Sequence, residues 1–209
     1  MAYADNVFIN CPFDRDYDFL KDAIVFTIMD CGFIPRCALE ANNGGNVRFD
    51  NIKKMIAESR FGLHDISRTE LDLVNGLPRF NMPLELGVFI GAVRYGNRQQ
   101  KTKSILILDK EQWRYQKFIS DIAGQDIRSH YNSAPQAISC VRNWLTHESN
   151  RSNIPGGEYI AGRYEQFQDE LPSMCSNAKI KLTTLTYPEY IAFIADWLTL
   201  APLNGTSSA

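Results

Sequence analysis

The 209-residue sequence predicts an α/β fold: a parallel sheet of about five strands with helices on both faces, and a helical extension at the C-terminal end. Three observations predict it. Short apolar runs rich in β-branched residues alternate with segments of helical periodicity through residues 1–149. One of these runs, "KSILILD" (103–109), is a strand bounded by charges. Beyond "NRSNIPGG" (150–157) the strand signal stops and only helical patterns follow.

"NVFINCPF" (6–13) reads as the first strand, ended by Cys11-Pro12. In the next segment Tyr17, Leu20, Ile24, Ile28 and Cys31 recur at helical spacing, with Asp14 as the expected cap and Gly32 as the stop. "FIPRCALE" (33–40) is a second strand, and Pro35 points to an edge position or an irregular start. "ANNGGN" (41–46) is a loop, and 47–60 is a helix with Phe49, Ile52, Met55 and Ile56 on one face. "FGLHDIS" (61–67) is the third strand and 68–81 a long polar loop. The helix of "RFNMPLELGVFIGAVRYG" (79–96) comes next, then the 103–109 strand. A helix is expected over 111–124, a fifth strand in "QDIRSHY" and a helix in "SAPQAISCVRNWLTHES". Residues 1–149 make the expected α/β domain, 150–203 the helical extension and 204–209 a disordered tail. Thr186 and Glu189 have capping-box spacing at the start of the last helix.

Composition narrows the function. A net charge of −2 gives no basic footprint for nucleic acid. No apolar run reaches the roughly 20 residues needed to span a bilayer, and "MAYADNVFINCPF" has no basic n-region ahead of a long apolar core. Five cysteines at scattered spacings form no metal-ligand pattern with the three histidines, so reduced, buried thiols in a cytoplasmic protein are expected, with no metal and no cofactor. GxGxxG, P-loop, GxSxG and HExxH motifs are all missing.

Ligands of open parallel sheets bind outside the carboxyl ends of the strands. The polar residues expected there are Asn10 and Asp14 after the first strand, and Glu40, Asn42 to Asn46 and Arg48 after the second. Asp65, Ser67 and Arg68 follow the third, and Arg79, Asn81 and Glu85 lead into the next helix. Alternation turns His64 to the opposite side from Asp65. Glu85 is the single acid in an otherwise apolar helix. It admits two readings: a first-turn carboxylate favoured by the helix dipole, or a catalytic carboxylate at the mouth of a pocket. Asn10 likewise has a structural alternative, satisfying backbone at a strand end. A carboxylate with Asn, Asp, Ser and Arg helpers suits sugar chemistry, because glycosidic cleavage passes through an oxocarbenium-like state that a carboxylate stabilises or traps.

"VFINCPF", "SRFGLHDIS" and "NMPLELGVFIGA" together resemble the nucleoside 2-deoxyribosyltransferases and the related Toll/interleukin-1 receptor (TIR)-like NAD-cleaving domains, over roughly residues 5–145. The resemblance implies a flavodoxin-like fold with Glu85 in the place of the catalytic glutamate and Asp65 as the acid ending strand three. It also implies cleavage of the N-glycosidic bond of a nucleotide, with NAD as the leading substrate, in a prokaryotic defence or signalling setting. Asn10, Asp14, Arg48, Ser67, Arg68, Arg79 and Asn81 are then substrate-binding residues. A small-molecule nucleotide is the partner, with activation by homo-oligomerisation or by another protein. The sequence departs from the transferases where "PRFNMP" replaces D-x-G-T, and in the longer loop "TELDLVNGLPRF". It departs from the TIR pattern in having no serine or cysteine at the usual spacing before the glutamate. A deoxyribosyltransferase, a nucleoside monophosphate glycosidase and a non-catalytic nucleotide sensor or oligomerising adaptor are the alternatives.

Overall fold

The computed structural model describes residues 3–40, 45, 47–71 and 76–202; the expected tail from 204 and most of the 41–46 loop lie outside them. Five parallel strands, β1 (Asn6–Asn10), β2 (Ile34–Cys37), β3 (Phe61–Asp65), β4 (Ser104–Asp109) and β5 (Ile127–Ser129), form one sheet in the order β2-β1-β3-β4-β5. The helices are α1 (Asp18–Asp30), α2 (Arg48–Ala57), α3 (Asn81–Tyr95), α4 (Ala134–Ser149), α5 (Gly157–Asn177) and α6 (Tyr187–Leu200). The order is that of a flavodoxin-like sheet, and it reverses between β1 and β3. β2 is an edge strand, which is where Pro35 costs no ladder hydrogen bond.

Strand alternation sorts the core into two layers. Val7, Ile9, Phe61, Leu63, Leu106 and Leu108 face α1 and α4. Phe8 faces the other way, packing with Ile52, Met55 and Ile56 of α2 and Phe89 of α3. Gly62 fixes how closely α3 approaches: a Cβ there would stand 2.5 Å from the ring of Phe89, which is fully buried. Only glycine permits that helix-to-strand contact.

α5 and α6 lie outside α1 and continue its core. Phe26 of α1 stacks on Phe167 at 5.4 Å and meets Trp197 at 5.7 Å. Tyr190 and Trp197 are buried in this layer. Arg163 of α5 holds Asp30 of α1 through both carboxylate oxygens, at 3.0 and 3.1 Å. Thr186 and Glu189 form the expected capping box on α6. All five cysteines are buried free thiols. Among the described residues no helix is long and apolar enough to cross a membrane.

Two local expectations are overturned. Residues 111–124 form no α-helix; they make two short 3-10 turns, Arg114–Lys117 and Ser120–Ile122. Trp113 is left-handed at φ 63, and Arg114 is drawn out of any helical path by five hydrogen bonds to Asp109, Thr69 and the carbonyls of Ile66 and Ser67. Tyr115, Ile119 and Ile122, whose spacing imitates a helix, instead cover Ile66, Leu86 and Ile107. Nor does Asp14 cap α1, which begins at Asp18 with Tyr17 at the cap position and no side-chain cap bond. The Asp14 carboxylate is turned to Arg68.

Candidate active site

The strand order reverses between β1 and β3, and the carboxyl ends at such a reversal are the default ligand position of this topology. α3 begins beside it. Asn10, the last residue of β1, ties the three elements together. Its amide nitrogen donates one hydrogen to the Met82 carbonyl at 2.8 Å and lies 3.0 Å from His64 Nδ1. Asn10 therefore holds the first turn of α3 onto β1 and β3. This is the structural alternative of the sequence reading, and its amide nitrogen is not available to a ligand. Burial and the charge of Lys103 push the His64 ring down to about 3, so it is neutral, packed between Phe8 and Phe89.

Asp65 and Ser67 also turn inward. Asp65 is fully buried. It accepts the Tyr17 hydroxyl at 2.6 Å and the Ser67 amide at 2.8 Å, and its Oδ2 lies 3.1 Å from His130 Nε2. Burial alone raises such a carboxyl, but these donors outweigh it and hold Asp65 below the ordinary aspartate value. His130 Nδ1 accepts the Asn132 amide at 3.0 Å, which leaves the ring proton on Nε2, facing Asp65. The carboxylate thus bolts the end of β3 to the chain entering α1 and to the chain leaving β5.

Glu85 is placed differently. α3 starts at Asn81, so Glu85 stands in the second turn and the first turn carries no acid. The dipole reading of Glu85 fails on this register. The side chain is half-buried and makes no hydrogen bond or ion pair with any described residue. Burial pushes its carboxyl up to about 7, opposed only by the charge of Arg48. A carboxylate desolvated without donors is costly as structure and useful as chemistry.

The remaining predicted residues divide. Arg68 is neutralised by Asp14 at 2.7 Å and Asp16 at 3.6 Å, which occupies both members of the predicted Asp14 and Arg68 set. Arg48 is exposed at the start of α2 and forms no ion pair with a described residue. Arg79 and Asn81 are exposed at the approach to α3, where Leu71 and Pro78 pair in an isolated antiparallel bridge. The structure therefore brings Asn10, Asn81, Glu85 and Arg48 to one end of the sheet, and commits Asp65, Ser67, Asp14 and Arg68 to each other or to the scaffold.

Sequence reasoning missed Tyr17, Asp109, Arg114 and His130. Asp109 and His130 follow the same strand-end rule as Asn10 and Asp65, applied to β4 and β5. Tyr17 carried only an apolar signal, because its ring does lie in the core. Comparison of the chain with family models and with curated proteins gives no match.

Proposed function

We propose that this protein cleaves the N-glycosidic bond of a nucleotide, with NAD the leading substrate, and that Glu85 is the carboxylate that acts on the ribose. The observation that carries the reading is the state of Glu85: half-buried, without a hydrogen-bond partner among the described residues, and raised to about 7 beside the sheet's switch point. The resemblance of "NMPLELGVFIGA" to the transferase and TIR-like patterns points to the same residue.

The chemistry follows from the charges. As the bond from the anomeric carbon to the base nitrogen breaks, its electron pair leaves with the base. In NAD that base is a pyridinium and departs neutral, so no acid has to protonate it. Positive charge develops on the ribose ring, where an ionised carboxylate is most valuable. Glu85 either stabilises that charge or closes on the anomeric carbon. Water then supplies the new oxygen and loses a proton. On this reading Arg48 supplies charge for a phosphate, and Asn81, exposed at the helix entrance, supplies an amide for the ribose hydroxyls. Asp65 and Asn10 act as positioning residues, holding the strand ends and α3 in register.

The test is incubation of the purified protein with NAD, nucleoside monophosphates and deoxynucleosides, separated by mass-resolved chromatography, with Glu85→Gln in parallel. Release of free base by the wild type and its loss in the variant is the expected result. No turnover of any of these substrates across a wide range of protein concentration overturns the proposal.

A further inference from the structure

A cleft of about 910 Å³ opens between α1 and the chain joining α5 to α6. That volume lies within the range of small-molecule sites. Its walls come from distant parts of the chain: Arg15 and Lys21 at α1, Leu39 after β2, Arg48 at α2, and Thr183 and Tyr187 from the C-terminal segment. Lys21 is engaged by Asp18 and Asp22 on the same wall. Arg15 and Arg48 form no ion pair with any described residue. Three cations and two carboxylates line the cleft, a net charge of +1, and the guanidinium groups of Arg15 and Arg48 beside the aliphatic and aromatic faces of Leu39 and Tyr187 suit a ligand with an anionic centre and a flat, apolar-faced body. Guanidinium is the group best matched to phosphate oxygens. Arg48 is also the residue whose charge reaches Glu85, so the cleft and the candidate carboxylate share a side chain.

Resting on the reading of Glu85 as the glycosidic carboxylate, we infer that this cleft binds the half of a dinucleotide remote from the scissile bond. Arg48 and Arg15 meet its diphosphate, and the α5–α6 segment completes the substrate site. Two arguments favour a dinucleotide over a single nucleoside. The space is lined by Arg48 and is larger than one base and sugar require. Arg15 and Arg48 offer two separate guanidinium contacts, one for each phosphate of a diphosphate bridge. The C-terminal helices then have a role in recognition in addition to packing on α1.

Adenosine 5′-monophosphate, titrated by calorimetry into the full-length wild type and into Glu85→Gln, tests the cleft without turnover. Equal binding to both proteins is expected. Arg15→Ala and Arg48→Ala each weaken it by about tenfold, the scale of one charge-assisted contact. Thr183→Trp, on an exposed 3-10 turn, fills the cleft and removes binding. Thermal melts confirm that each variant is folded. Inorganic phosphate binds at least about tenfold more weakly than the nucleotide; equal binding of the two overturns the nucleoside half of the inference. No nucleotide binding at millimolar concentration, or binding that Thr183→Trp and Arg15→Ala leave unchanged, overturns it entirely. The two readings separate cleanly. Nucleotide binding lost in Thr183→Trp, with no base released from NAD, overturns the glycosidase and keeps the cleft. Glu85-dependent release of base with a KM for NAD unmoved by Thr183→Trp and Arg15→Ala overturns the cleft and keeps the glycosidase.

Discussion

Asp65 and Glu85 are both carboxylates at the same end of the sheet, and burial moves them in opposite directions. Asp65 is wholly enclosed, yet Tyr17, Ser67 and His130 surround it with donors, and its carboxyl is held below the ordinary value. Glu85 is less enclosed, yet no donor meets it among the described residues, and its carboxyl rises to about 7. Burial by itself therefore says little about function. What matters is whether the charge removed from water is given partners. A satisfied carboxylate is a fastener, and an unsatisfied one is poised to interact with whatever enters.

The largest effect that would break this contrast concerns turnover. Glu85→Gln is expected to lower base release on the order of 10³-fold, measured by chromatography under saturating substrate. A drop of that size in Asp65→Ala, without loss of stability, would reverse the two roles. The next effect is on folding. Asp65→Ala leaves Tyr17, Ser67 and His130 without their shared acceptor and should cost about 3–5 kcal/mol by denaturant unfolding. The sign with pH follows from the lowered carboxyl. The stability contributed by Asp65 is present above its unfolded value of 3.8 and is lost as pH falls through the lower folded one.

Gly62→Ala comes next. Its methyl group would meet the Phe89 ring, so α3 must lift from β3 at a cost of about 1–3 kcal/mol. Glu85 moves with the helix, and kcat should fall alongside the melting temperature. Glu85→Gln has a smaller, opposite effect on stability. The folded carboxyl ionises near 7 and the unfolded one at 4.5, so the folded state loses stability as pH rises between them. Allowing for its partial exposure, the variant should be about 1–2 kcal/mol more stable than wild type at pH 8 and nearly equal to it at pH 4. Comparative melts at the two pH values check this.

The smallest effect sharpens the assignment of Arg48. If the ionised carboxylate is the active form, kcat/KM rises with pH through about 7. Arg48 lowers that value, so Arg48→Ala should move the rising limb to higher pH by less than about one unit. A limb that stays in place would separate Arg48 from Glu85.

The alternation of strands and helices, the edge position of Pro35, the capping box at Thr186 and the burial of the cysteines were all legible in the sequence. Each depends on periodicity or on local backbone chemistry, which neighbouring residues carry. The gathering of Asn10, Asn81, Glu85 and Arg48 at one end of the sheet followed from the strand-end rule. Which polar groups remained available did not. Asp14 reads as a helix cap until Arg68 claims it, and the groups that hold Asp65, Tyr17 and His130, lie far from it in sequence. Residues 111–124 keep helical spacing, yet Arg114 trades the helix for bonds to Asp109 and the β3 loop. Partners far apart in sequence decide these outcomes, and local pattern carries no record of them. The sequence determined the layers, the strand ends and the presence of one acid in an apolar helix. Tertiary structure decided that Glu85, and not Asp65, was left without a partner among the described residues, because only the folded chain sets which donors reach which carboxylate.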